Sequence, residues 1–369
     1  MRTLKFYTDR KFIPHSSVGH VHFLFPWWGS LVEEIYKNHS VYERYVAVAG
    51  ESYQPVNELA DADFAVLPAN FKYYKKWNRA DLVEELVSQC REHGKKLLVF
   101  FKDDSDEDLN LDIQHTIVFR TSFYMSQCKA NEHAMPVWSG DLVDVYGNGD
   151  FRAASLPDKF RLGFCGQTLP NVNVVRRAWQ VFRFRLALLL HSARFTSAKD
   201  FGKRWFSFLR SYALEVLRRG EQWECDFIER TDYLGGAWLR KGSFDLNRYG
   251  EIRNEYVANL QRNDFFPCVR GGGNYSMRLY EVLSLGKIPI LIDTDSVMPF
   301  PDRIDWNRHV VVVPCDSVAN INKLLQAAVS NLTHDEFVAW QKRNRELWLE
   351  YLSPEGFFRN MASILTDQR

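Results

Sequence analysis

Residues Phe265–Pro314 read FFPCVRGGGNYSMRLYEVLSLGKIPILIDTDSVMPFPDRIDWNRHVVVVP. The apolar run Phe265 to Val269 has the length of a buried strand. Arg270 and three glycines, Gly271, Gly272 and Gly273, follow it. Glycine turns tightly and lets a ligand approach the backbone. Asn274 and Ser276 are both good N-cap residues, so a helix is expected to begin at one of them. Within it Leu279, Val282 and Leu283 are spaced to face a core. Arg278 and Glu281 lie one turn apart on another face. Gly286 stands where a left-handed C-cap is expected. Ile288 to Ile292 reads as the next buried strand, trailed by Asp293 and Asp295.

Strand, glycine loop, helix and strand form the unit that binds phosphate at the carboxyl end of a parallel sheet. The free N–H groups and positive dipole end of the helix attract an anion. Arg270 and Arg278 are placed to add charge-assisted bonds to a diphosphate. Glu281 is placed to accept from two ribose hydroxyls. The plainer alternative is that the glycines only turn the chain and Arg278 and Glu281 form a surface ion pair. The loop is neither GxGxxG nor a P-loop, because no Gly-Lys-Ser/Thr follows.

Arg270 to Glu281, then Gly286-Lys-Ile-Pro-Ile-Leu-Ile292, then Met298-Pro-Phe300 and Ile304-Asp-Trp306, resembles the exostosin (GT47) family of glycosyltransferases. That family's pattern is an RG loop, S-x-R-hydrophobic-x-E, a G-x-I-P-V segment, then PF and DW. The match is strong over about forty residues, Arg270 to Trp306, and looser across the C-terminal half. The resemblance implies an α/β GT-B-like fold, two Rossmann-like domains facing across a cleft, with this segment as the nucleotide-sugar site. It also implies a nucleoside-diphosphate sugar, such as a UDP-sugar, as donor substrate, no separate cofactor, and inversion at the anomeric carbon. A glycan or glycolipid is the expected acceptor. The alternative is a catalytically silent nucleotide-sugar-binding subunit that supports a partner transferase.

Composition sets outer bounds. At 369 residues two domains are the natural expectation. The 47 basic and 46 acidic residues nearly cancel, which gives no bulk nucleic-acid signal. Six cysteines without C-x-x-C spacing suit reduced thiols rather than a metal site. The start, MRTLKFYTD, does not read as a signal peptide, and no run approaches ~18 apolar residues. Asn274-Tyr-Ser is a glycosylation sequon inside the expected site, which disfavours passage through a secretory lumen. A cytoplasmic location is therefore expected.

Alternating strands and helices point to parallel α/β domains over residues 1–150 and 151–345, with a helix in 346–369 that crosses back to the first domain. In the first, Leu4 to Tyr7, Tyr45 to Ala49, Phe64 to Leu67, Lys96 to Phe101 and Thr116 to Phe119 read as strands. Leu31 to Tyr36 and Ala80 to His93 read as helices. Met135 to Trp138 and the Gly147 turn mark the chain leaving this domain. Asp103 and Asp104, just past a strand, sit where ligands bind, or in a solvated acidic loop. His20, in a loop with His15 and His22, and the two aspartates are the nominees for catalytic base. The second domain opens with Phe160 to Cys165; Gly166 and Gln167 then either face the cleft, with Gly166 in the nucleotide-sugar site, or make a simple strand-ending turn. Arg230, closing the strand Cys225 to Arg230, is a further phosphate candidate. Asp293-Thr-Asp295 spells the DxD of metal-dependent GT-A enzymes; inside the exostosin pattern, arginines and a helix dipole are expected to replace the metal. Between Val174 and Gly220, eleven Lys or Arg face two acids. That basic amphipathic stretch suggests peripheral membrane contact or a solvated two-helix insertion.

Overall fold

The computed structural model describes residues 2–29, 40–169, 174–237 and 244–367. The chain divides into two compact units. The first comprises Met1–Gly140, Val297–Ile304 and Trp348–Arg369; the second comprises Asp141–Ser296 and Asp305–Leu347. The division falls at Gly140, ten residues before the expected boundary at 150. The expected helix Leu31 to Tyr36 lies outside the described residues.

The first unit is built on six strands: β1 (Leu4–Tyr7), β2 (Tyr53–Val56), β3 (Phe64–Val66), β4 (Leu97–Phe101), β5 (Thr116–Arg120) and β6 (Glu132–Ala134). They form one parallel sheet in the order β2-β1-β3-β4-β5-β6. Every residue of β4 and β5 is buried, as expected of central parallel strands covered on both faces. β2 carries Pro55, which the sheet tolerates because this strand is an edge. That proline and the short length hid β2 from sequence reading.

Residues Tyr45 to Ala49, expected as a strand, belong instead to helix α1 (Ser40–Ser52). Tyr42, Tyr45 and Ala49 are its buried residues, at spacings of three and four. This is a helical period, with Val46 exposed between the buried positions. Helix α2 (Ala80–Glu92) buries Leu82, Val83, Leu86, Val87 and Cys90 on one face. The helix Pro354–Asp367 starts with proline in its first turn, where no N–H is missed, and Ser353 Oγ accepts the Gly356 N–H. It buries Phe357, Phe358, Met361 and Leu365 within this unit. The Tyr53 hydroxyl donates to the Phe358 carbonyl at 2.6 Å.

The second unit has strands β7 (Arg161–Gln167), β8 (Glu224–Arg230), β9 (Phe265–Cys268), β10 (Ile288–Asp293) and β11 (Val311–Pro314). They are parallel, in the order β11-β10-β9-β7-β8. Between β7 and β8 the chain forms the helices α3 (Val174–Ser192) and α4 (Ala198–Arg218). Helix α5 (Leu246–Arg262) leads into β9, and α6 (Met277–Ser284) joins β9 to β10. Helices α7 (Ile321–Val329) and α8 (His334–Leu347) follow β11. The core joins Leu162, Phe265, Ile290 and Val313 of the sheet to Phe184, Leu209 and Leu217 of α3 and α4 and to Trp340 of α8. Each such side chain contributes roughly 1.5–3 kcal/mol of burial. Both sheets thus carry Rossmann-like parallel topology, the two-unit composition expected of a GT-B-like chain. In each sheet the strand order reverses beside the first strand, between β1 and β3 and between β7 and β9. Open α/β sheets bind ligands at the carboxyl ends of such strands.

Candidate functional site

The reversal point of the second sheet lies between β7 and β9, and α6 starts from the loop that follows β9. Ser276 is its N-cap, with extended backbone and no side-chain capping bond. The first N–H groups of a helix lack intrahelical partners, so this end keeps its attraction for anions. At the far end Gly286 adopts φ +67°, as the C-cap reading required. α6 is enclosed on nearly all sides: Leu279 through Ser284 are all buried. Over its last turn Arg345 of α8 donates to the Ser284 carbonyl at 2.6 Å.

This enclosure separates Arg278 from Glu281, and neither the surface pair nor the free ribose acceptor is present. Glu281 is 3% exposed. Its Oε1 accepts from Arg253 at 2.6 Å and its Oε2 from the Tyr256 hydroxyl at 2.5 Å, both on α5. Burial alone would lower the Arg253 guanidinium, but the Glu281 charge outweighs it and raises it. Burial, then Glu281, drives the Tyr256 phenol upward as well. Glu281 therefore fastens α6 to α5, and a ribose would have to share oxygens that already have donors.

Arg278 turns towards the strand ends. Its Nη2 donates to the Cys165 carbonyl of β7 at 2.7 Å and its Nη1 to Pro267 of β9 at 3.4 Å. Its guanidinium stacks 4.2 Å from the Phe164 ring centroid. Gly166 makes the approach possible: a Cβ there would lie 2.8 Å from Arg278 Nη2. A second arginine, which sequence reading did not single out, reaches the same strand ends from α4. Arg210 Nη1 donates to Gln167 at 2.7 Å and Nη2 to the Arg270 carbonyl at 2.9 Å. Burial, with the charge of Arg278 added, pushes the Arg210 guanidinium down to about 10. Nε of each arginine is buried without a hydrogen-bond partner. Among the described residues no carboxylate lies within 4.0 Å of either guanidinium. The signal for Arg210 was its register: it shares a helical face with Ala213, Leu214 and Leu217, which are all buried.

Other expected phosphate contacts are already engaged. Arg270 folds into its own loop, donating to Gly272 at 2.9 Å and to Asn274 Oδ1 at 3.2 Å. Asn274 in turn accepts from Thr294 Oγ1 at 2.6 Å and donates to the Asp295 carbonyl at 3.1 Å. These two residues shape the loop of Gly271, Gly272 and Gly273, of which Gly272 is exposed. Arg230, at the end of the edge strand β8, is neutralised by Glu255. Asp293 Oδ1 accepts the Ser296 N–H at 2.8 Å, and Asp295 sits at φ +66°.

In the first unit, Val21 N–H donates to Pro68 at 2.8 Å and His20 pairs with Ala69. This sets the His20 loop at the carboxyl end of β3. His20 Nε2 lies 2.8 Å from the Gly29 carbonyl. A carbonyl only accepts, so Nε2 carries the proton and Nδ1 holds the basic lone pair in the neutral ring. Burial holds the pKa of His20 below its ordinary value. Asp103 caps the Ser105 N–H at 2.9 Å and stands 3.7 Å from Lys72 Nζ, while Asp104 is exposed.

No family model matches the chain. The curated relatives include exostosin-2 and probable glucuronosyltransferases of plants, in keeping with the exostosin resemblance. Exostosin-2 of Mus musculus is 27% identical over 110 residues, 30% of this chain and 14% of that protein. A probable glucuronosyltransferase of Oryza sativa subsp. japonica is 37% identical over 70 residues, 19% of this chain and 17% of its own. The matched stretches thus span well under a quarter of either relative. Among solved structures, a glycosyltransferase from Rickettsia africae aligns over 89% of this chain and 93% of its own, at 9% identity and a TM-score of 0.36.

Proposed function

We propose that this chain is a glycosyltransferase whose second unit binds a nucleoside-diphosphate sugar, a UDP-sugar above all, at the carboxyl ends of β7 and β9. The sugar passes with inversion to a glycan or glycolipid hydroxyl. The observation that carries this reading is the pair Arg210 and Arg278. Two half-buried guanidinium groups without a carboxylate partner leave positive charge that a diphosphate would offset. The start of α6, which has no side-chain cap, adds N–H donors for phosphate oxygens. As the diphosphate leaves the anomeric carbon its charge grows, and donors fixed in advance stabilise that charge best. The names of the curated relatives, exostosin-2 and probable glucuronosyltransferase, agree with this chemistry.

The acceptor hydroxyl needs a base. Within the first unit His20 is the nominee over Asp103 and Asp104, because burial holds its pKa below the ordinary value and Nδ1 keeps the basic lone pair of the neutral ring. Two arginines and a helix terminus suffice for the diphosphate, so donor binding should survive a chelator. The test is calorimetric titration of UDP and UDP-sugars into the wild type, Arg210→Met and Arg278→Met, with EDTA present. Binding by the wild type and a loss of about tenfold or more in each variant is expected. Absence of nucleotide binding at millimolar concentration would overturn the reading. Donor turnover with an acceptor panel separates an enzyme from a silent binding subunit.

A further inference from the structure

Helix α3 has two apolar faces, and among the described residues only one of them packs into the core. Phe184 and Leu188 pack into the core of the second unit against Phe201 and Leu209 of α4. On the opposite side Val175 is 81% exposed, Trp179 60%, Phe182 57%, Leu186 48% and Leu189 68%. Their spacings of four, three, four and three residues align them in one stripe along the helix. With Leu190 added, the stripe covers roughly 100° of the circumference. Arg176 and Arg183 border it on one side and Arg185 on the other, and Arg194 and Phe195 continue the same chemistry past the helix end. Arg185 is 3.8 Å from Glu215, its acidic neighbour on α4.

We propose that this face of α3 docks on a bilayer surface carrying anionic lipid. This goes beyond the donor-site reading and does not rest on it. The stripe supplies Trp, Phe and Leu side chains to the boundary of headgroups and acyl chains, where helices of this pattern lie parallel to the surface. The flanking arginines have stems long enough to keep their charge among anionic headgroups while the apolar residues enter. Among the described residues no helix is long and apolar enough to cross a membrane, so the contact is superficial. A second copy of the chain is the competing occupant, because the four-three spacing also suits a coiled-coil seam. Charge argues against it. The positions of α3 beside that seam are Arg176, Arg183 and Arg185, and α3 contains no Asp or Glu, so two copies would bring like charges together.

The test is co-sedimentation with phosphatidylcholine vesicles, with and without about 30% phosphatidylglycerol, at low and high salt. The wild type should bind the anionic vesicles at low salt and be released by salt. Trp179→Glu with Phe182→Glu, and separately Arg176, Arg183 and Arg185 all to Gln, should each reduce binding by about tenfold or more. Trp179 and Phe182 are exposed and away from the core, so the glutamate pair should leave UDP affinity unchanged, which verifies folding. Failure of the wild type to bind anionic vesicles at low salt would overturn the proposal. So would glutamate variants that bind as the wild type does. A wild-type dimer dispersed by the glutamate pair, with no vesicle binding, would assign the stripe to a second copy instead.

Discussion

Arg120, at the end of β5, is buried, and Arg210, beside the ends of β7 and β9, is half-buried, and the two differ in what answers their charge. Arg120 meets Glu132 at 2.5 Å and fills its remaining donors with the carbonyls of Ser122 and Glu107 at 3.1 and 3.0 Å. Arg345 in the second unit is satisfied likewise, with both oxygens of Asp141 at 2.7 Å. Arg210 has two carbonyls and, as its charged neighbour, another cation. The first two arginines are complete within the fold. The third, with Arg278, leaves positive charge and two Nε–H groups unanswered at a strand-order reversal. A buried charge that the fold balances serves structure; one that it leaves unbalanced points to a ligand that supplies the missing sign.

The sharpest way to break this comparison is to remove the cation on each side. Arg120→Met should destabilise the protein by about 3–5 kcal/mol in denaturant unfolding, because Glu132 is left buried without its partner. Adding Glu132→Leu should recover much of that loss. Arg210→Met and Arg278→Met should behave oppositely. Each should weaken UDP-sugar binding by about tenfold or more, while the empty protein loses about 1.5 kcal/mol or less, since relief of charge burial offsets the lost carbonyl bonds. Arg278→Lys should rescue only partly, for lack of the planar fork. The pH dependence has a definite sign. Folding depresses the Arg210 guanidinium from 12.5 to about 10, so the unfolded chain binds more protons in that interval. Through this group alone stability rises with pH there. Donor affinity should fall across the same interval, because the diphosphate requires the charged form. If Arg210→Met costs as much stability as Arg120→Met, the distinction between the two sites fails.

The second unit was more legible in sequence than the first, and the reasons are physical. From β9 to β10 each local signal agreed: an apolar run, a glycine loop, Ser276, an amphipathic run, Gly286 and a second apolar run. In the first unit Tyr53–Val56 held proline on an edge strand, and Tyr45–Ala49 placed valines on the outside of a helix. Side-chain destinations were harder still. Arg278 and Glu281 stand one turn apart in sequence, but what each meets is decided by β7 and α5, which lie far away along the chain. Arg210 became readable only as an arginine in an apolar register. The exposed stripe of α3 was hidden by the opposite effect: Trp179, Phe182, Phe184 and Leu188 are all apolar, and periodicity does not say which of two apolar faces the fold will cover.

Glu281 sharpens the comparison from within the site. Its carboxylate is balanced by Arg253 and Tyr256, so it belongs with Glu132 rather than with a ligand contact. Glu281→Gln keeps the shape, lets one oxygen still accept, and removes the charge that Arg253 faces. A loss of about 1–3 kcal/mol in unfolding is expected, as for hydrogen bonds to charged groups. UDP-sugar affinity should change by less than about threefold. The reverse result, unchanged stability with affinity down about tenfold, would return Glu281 to the ribose and make α5 a mere neighbour.

The smallest effect expected is at Gly166, and it tests how closely Arg278 must be seated. Gly166 does not occupy the left-handed region, so alanine carries no backbone penalty there. The conflict is one contact: the new Cβ would stand 2.8 Å from Arg278 Nη2, with Phe164 Cζ next at 3.6 Å. Nη2 is the far end of a flexible side chain, and a shift of a few tenths of an ångström relieves the overlap. That shift loosens the bond to the Cys165 carbonyl, so Gly166→Ala should cost under about 1 kcal/mol of stability. Its effect on the reaction should be larger in turnover than in ground-state affinity. A diphosphate already bound adjusts to a displaced donor, whereas charge that appears only as the bond breaks gains most from a donor already in place. Gly166→Ala should therefore lower kcat by several-fold and leave the donor Kd within about twofold. Equal losses in kcat and in affinity would mean that Arg278 holds the ground state and the transition state alike. An unchanged kcat would show that the reaction does not depend on how tightly the strand ends grip that guanidinium.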